Sequence, residues 1–155
     1  MFDVLAFVYE NYFTGQSCPE PAQLERRLSA VGFDSDEIGD AIAWLEGLNT
    51  AARPCSPSPW LTQATPTSVR VYPPWELAHL GTDCIGFICF LESAGVLAPY
   101  MREVIIDRAM AAPGEPVCLA DLKIIILMVY WSFGQEPDAL VLDELWDDTQ
   151  DRIPH

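Results

Sequence analysis

An all-α protein of about seven helices around one core is what this sequence predicts, and three observations carry that expectation. Apolar residues recur at helical spacing through most of the chain, prolines fall between those runs or at their starts, and a single short stretch alternates as a strand does. Half of the 155 residues are hydrophobic, enough to fill an interior without a disulfide or metal staple.

Residues 2–13 are apolar on most sides (Phe2, Val4, Leu5, Phe7, Val8, Tyr9, Tyr12, Phe13), as a helix set deep in a core would be. Gly15 and Pro19 end it. A second helix spans about 21–31, with Leu24, Leu28 and Val31 at helical spacing and Gly32 after it. In the third, over 35–48, Asp34 and Glu37 stand at capping-box spacing, and Ile38, Ala41, Ile42, Leu45 and Leu48 mark one face.

Residues 51–67 break the pattern with Pro54, Pro57, Pro59 and Pro66, the composition of a connecting loop. Ser68 to Tyr72 alternates as a strand and needs a mate, which residues 60–64 would supply in a small β-hairpin. Pro74 opens a short helix to about Leu80, and a nearly all-apolar helix follows over 84–93, with Gly95 placed to stop it in a left-handed conformation. Pro99 starts another helix to about Ala112, with Met101, Val104, Ile105 and Ala109 inward, and Pro113-Gly114 turns the chain. The run Ile124 to Trp131 lies within a helix over 119–133; its length and the preceding Asp121-Leu122-Lys123 favour a central helix over a buried strand. The last helix begins at Pro137, with Leu142, Leu145 and Trp146 on one side and Asp138, Asp143, Glu144, Asp147 and Asp148 around the rest.

The chain thus divides into a three-helix unit over 1–50, a middle segment over 51–81 and a helical unit over 82–155, one compact structure overall. Charge follows the same division. Twenty-three carboxylates face eight cations, seven arginines and Lys123, for a net charge of −15. Nine carboxylates face two arginines over 1–50, one faces two over 51–81, and thirteen face four cations over 82–155. Such a field repels nucleic acid and anionic membranes and favours a basic partner.

Five cysteines stand at 18, 55, 84, 89 and 118, an odd and widely spaced set with no basic n-region ahead of them in Met1–Leu5. They read as reduced, buried thiols of a cytoplasmic protein. The longest apolar run, Ile124–Trp131, falls far short of the ~20 residues that span a bilayer.

The residues resemble one known family in order along nearly the whole chain. Met1-Phe2-Asp3-Val4-Leu5 opens it, then Gly32-Phe33-Asp34 with Glu37-Ile38, Ala41-Ile42 and Trp44-Leu45-Glu46. Arg70-Val71-Tyr72 with Glu76, Gly86-Phe87 with Phe90-Leu91-Glu92, and Arg102-Glu103 with Val104-Ile105 follow, then Asp121-Leu122-Lys123 and Ile126-Leu127-Met128-Val129. These are similar to the Smg family of small bacterial proteins. The resemblance implies a cytosolic protein of unassigned function, often encoded near DNA-processing and topoisomerase genes. The chain departs from that family mainly over 51–66.

Chemistry-bearing constellations are sparse. His79, Cys84 and Cys89 are five apart, and five residues turn a helical side chain through about 140°, so the two cysteines face different sides and zinc is not expected. No catalytic residue, metal site or cofactor is assigned: there is one internal histidine, no nucleophile elbow or activated-cysteine signature goes with it, and no glycine loop cradles phosphate. Asp143, Glu144, Asp147 and Asp148 place carboxylates at i and i+4 twice; they form a solvated face first, a landing site for an arginine-rich partner next, and a divalent-cation site last, since no glycine-centred calcium loop accompanies them.

Three helices, a strand and a hairpin are also the order of a winged-helix domain, a frequent DNA binder. Its recognition helix would carry Asp36, Glu37, Asp40 and Glu46 and no Lys or Arg, which opposes phosphate. The middle segment is the better surface: Arg53 and Arg70 stand among Trp60, Tyr72 and Trp75, types enriched in binding hot spots. The same rings would alternatively close the seam between the helical units. The expectation is a non-catalytic adaptor or regulator that binds a protein, itself basic or nucleic-acid-handling. The alternatives are direct nucleic-acid binding through Arg53, Arg70 and the aromatics, and an enzyme with an unfamiliar carboxylate site.

Overall fold

The computed structural model describes residues 1–12, 20–53, 70–113 and 116–147, and these form seven helices. They are α1 (Phe2–Tyr12), α2 (Pro21–Val31), α3 (Ser35–Ala52), α4 (Pro74–Ser93), α5 (Pro99–Met110), α6 (Leu119–Ser132) and α7 (Ala139–Asp147). The all-α expectation holds. Among the described residues there is no strand: Arg70 to Pro73 is connecting chain, and the expected hairpin partner 60–64, with Ser68 and Val69, lies outside the described residues. The winged-helix order therefore has no described wing. Phe13, Cys18, Cys55, Gly114 and His155 also lie outside them.

Helix α6 is the axle. Nine consecutive residues, Leu122 to Tyr130, are buried, which requires neighbours on every side, and α6 packs against α1, α3, α4, α5 and α7. The length and apolar run that favoured a helix over a strand thus have a structural counterpart. Helix α1 buries Val4, Leu5, Ala6, Val8, Tyr9 and Tyr12 against α3 and α6. On α3 the inward residues are Ile38, Ala41, Leu45 and Leu48, as expected, with Trp44 added and Ile42 only partly buried.

Boundaries move where local chemistry differs from the expectation. Helix α3 runs four residues past Leu48, because Asn49 to Ala52 contain no breaker; it stops at Arg53, whose extended ψ of 135° suits a residue before proline. The capping box at its start is not formed. Asp34 caps without a side-chain hydrogen bond, and the Glu37 carboxylate instead accepts from the Met1 ammonium at 3.4 Å, where an opposite full charge outbids a backbone amide. Asp138, read as one more solvated acid, caps α7: its Oδ1 accepts from the Leu140 amide at 3.1 Å.

The expected helices around 74–80 and 84–93 both form and meet within α4 at Gly81, whose φ of 72° and ψ of 168° are not helical. Only glycine takes that conformation at little steric cost. Gly32, Gly95 and Gly134 close α2, α4 and α6 in one common way: Gly95 N–H donates to Glu92 and Val96 N–H to Leu91, with the equivalent pairs at the other two ends. The end of α5 is closed from outside. Trp44 Nε1 of α3 donates to the Arg108 carbonyl at 3.0 Å, and His79 Nε2 of α4 stands 3.2 Å from the Ala109 carbonyl. Both rings satisfy terminal carbonyls that the helix leaves without internal donors.

Candidate functional site

The middle-segment residues proposed as a surface divide sharply. Arg70 points into a five-member ion network. Its Nη1 donates to Glu76 Oε2 at 2.6 Å, its Nη2 to Glu76 Oε1 at 3.1 Å, and its Nε to Glu103 Oε1 at 2.9 Å. Arg102 shares Glu103, Nε to Oε1 at 2.9 Å, and reaches Glu92 Oε1 through Nη1 at 2.5 Å. Two guanidinium forks thus join the segment before α4, both parts of α4, and α5. The fork on Glu76 is bidentate, the geometry that makes arginine–carboxylate pairs strong. The hydrogen bond to Glu76, seconded by Glu103, holds the Arg70 pKa well above its ordinary value against the opposing effect of burial.

Tyr72 lies beneath this network, its ring 4.7 Å from the Arg70 guanidinium carbon. Its hydroxyl is buried with no hydrogen-bond partner, and burial pushes its pKa up to about 12. Trp75 does the opposite and is 67% exposed, next to Val71 at 85% and Leu77 at 47%. Arg53 is exposed at the end of α3. Trp60 lies outside the described residues.

On α7, Asp143 and Glu144 are exposed and Asp147 ends the helix, while Asp148 lies outside the described residues. Glu144 also meets Lys123, which is 4% exposed: the ammonium donates to the Glu144 carbonyl at 3.0 Å, stands 3.7 Å from its Oε1, and lies 5.5 Å from the Phe87 ring centre. A lysine near the carboxyl end of a helix complements the dipole there.

Of the cysteines, Cys84 is buried and donates to the Val117 carbonyl at 3.4 Å, and burial pushes its thiol up to about 11. Cys89 and Cys118 are exposed, so the expectation of buried thiols fails for both. The nearly all-apolar stretch 84–91 still has an outer face, and Cys89 falls on it beside Phe90. Among the described residues no group of three or more His, Cys, Asp or Glu is arranged to hold a metal ion. No described helix is long and apolar enough to cross a membrane.

Sequence reasoning missed the partners of Arg70, the Arg102–Glu92 pair and the burial of Lys123. Ion pairs between residues up to 33 apart have no periodic signal. The one available pointer was that all of these residues fall inside the segments that carry the family resemblance.

Fold and site define a small helical protein whose arginines clasp its own carboxylates around one apolar core, with an exposed tryptophan beside the clasp. The chain belongs to the Smg family: the family model described as "Protein of unknown function (DUF494)" matches residues 1–155. It is similar to the protein called "Protein Smg homolog" of Methylibium petroleiphilum, 56% identical over the full length of both chains. The proteins of the same description from Leptothrix cholodnii and Bordetella petrii are 58% and 50% identical, again over all of both chains. No solved structure matches.

Proposed function

We propose that the protein acts without catalysis, as an adaptor or regulator that binds another protein through the Trp75 surface. The observation that carries this reading is a two-thirds exposed tryptophan, flanked by exposed Val71 and Leu77, on a segment that Arg70 clamps to Glu76 and Glu103. Exposed apolar side chains on a fixed backbone lose little freedom on binding, and tryptophan is the residue type most enriched in hot spots. The net charge of −15 favours a basic partner, such as a protein that handles nucleic acid. Direct contact with nucleic acid has less to rest on, since Arg70, Arg102, Arg108 and Lys123 are all turned to carboxylates.

The test is recovery of tagged full-length protein from cells after mild crosslinking, compared with Trp75→Ala and Val71→Ser. Recovery of one protein by the parent and its loss in both variants, at unchanged melting temperature, is the expected result. Capture that survives Trp75→Ala, or that disappears on nuclease treatment, would sink the reading.

A further inference from the structure

A second surface lies beyond the Gly81 break, between the far part of α4 and α7. Lys123 lies behind two of its side chains, its ammonium 5.5 Å from the Phe87 ring centre and donating to the Glu144 carbonyl. A groove of about 420 Å³ is lined by Phe87, Phe90, Leu91, Leu140, Val141 and Glu144. Two of its apolar side chains are largely uncovered, Phe90 at 59% and Leu140 at 82%, while Leu91 is buried. Phe87 and Phe90 stack with ring centres 6.3 Å apart, so the α4 wall is a continuous aromatic surface.

The two walls are helices, and each offers a stripe: Phe87, Phe90 and Leu91 at i, i+3 and i+4, Leu140, Val141 and Glu144 at i, i+1 and i+4. A third helix seats between two such ridges through its own i, i+3, i+4 and i+7 residues. The charge around the groove is mainly negative, with the Lys123 ammonium already paired to Glu144. Neither α4 nor α7 contains a lysine or arginine, and Asp83, Asp143 and Glu144 are exposed carboxylates on them. A second copy of this chain would bring the same carboxylates and the same net charge to the contact. Nucleic acid and anionic lipid are repelled for the same reason. We infer that the α4–α7 groove receives an amphipathic helix of a partner protein, with apolar residues along one face and lysines or arginines along its flanks. This adds a second surface to the partner-binding reading and does not depend on Trp75.

The probe is a synthetic helical peptide of about five turns, leucines on one face and lysines on the flanks, with a scrambled peptide of equal composition as its control. Because the two carry equal charge, attraction to an acidic protein contributes alike to both. Binding is read by fluorescence anisotropy on the full chain. The patterned peptide should bind at least about tenfold tighter than the scrambled one, and Phe90→Ser and Leu140→Ser should each remove most of that preference, as truncating a groove anchor does. Both side chains are mostly exposed, so melting temperature should stay put. Trp75→Ala should leave peptide binding unchanged, which separates failure of this inference from failure of the Trp75 surface. A photocrosslinking residue at position 140 should join the patterned peptide. Equal binding of the two peptides, or undiminished preference in both serine variants, would overturn the proposal. So would a crosslink from position 140 to a second copy or to residues 148–155 of its own chain.

Discussion

Arg70 holds three pieces of chain together: the segment before α4, the start of α4 through Glu76, and α5 through Glu103. Its side chain is 18% exposed and that of Glu76 13%, so removing the guanidinium strands a carboxylate that water only partly reaches. Arg70→Ala should cost roughly 2–4 kcal/mol in urea unfolding, mostly through Glu76, since the more exposed Glu103 is better screened. Arg70→Lys should recover less than half of that, because an ammonium cannot fork across two carboxylates; full recovery would show that charge alone matters. The arginine was legible in the sequence as a residue of consequence, but its direction was not: a cation among prolines and aromatics reads the same whether it faces a partner or its own chain. Tyrosines give a second prediction. Burial pushes Tyr9 and Tyr72 up to about 12 and raises Tyr130 as well. A raised value in the folded state means that the native protein holds protons the unfolded chain has released. The tyrosine contribution to stability should therefore be flat below pH ~10, the ordinary tyrosine value, and fall as the pH rises toward 12. The Cys84 thiol, raised to about 11, begins a smaller decline from its ordinary value of 9.0. Tyrosinate absorbance should show the late-ionising tyrosines appearing together with loss of helical circular dichroism, and early ionisation of all five would contradict it.

Among the elements, glycines separate two roles. Gly39 and Gly86 sit inside α3 and α4 with nothing within 4 Å of where a Cβ would be built. Replacing either by alanine should stabilise the protein by about 0.5–1 kcal/mol, through backbone entropy alone. Gly81→Ala should do the reverse, at a cost of about 1–2 kcal/mol, because its φ of 72° is the left-handed region. Thermal melts of the three variants would check the pattern, and a stabilised Gly81→Ala would mean that the α4 break is not held as described. Gly47 belongs to neither group, since an added Cβ would stand 2.0 Å from Arg108 Nη1 and push that side chain aside. Helix positions were well marked in the sequence because periodicity and proline are local signals. Ends were less so. The extension of α3, the Asp138 cap and the Glu37 contact with Met1 each turn on which of two nearby groups wins a hydrogen bond, and spacing alone does not rank them.

Across the whole molecule, α6 fills the space between α1 and α3 from the first part of the chain and α4, α5 and α7 from the last. Central burial of that run was readable from composition. The α4–α7 groove was not, because Phe90 and Leu140 look like core residues until neighbouring elements fail to cover them. At this scale charge makes the clearest prediction. With a net charge of −15, self-repulsion should dominate over the shielded arginine pairs, which salt screens less. Raising sodium chloride toward 0.15 M, where the Debye length is about 8 Å, should raise the melting temperature; a fall would mean that the ion network outweighs the repulsion. The inward turn of Arg70, Arg102 and Lys123 also has a kinetic side. Cations that face carboxylates from within leave the far field to the unpaired acids, so polyanions are turned away before they collide. A cationic surface would instead be drawn in and oriented on approach, ahead of any contact.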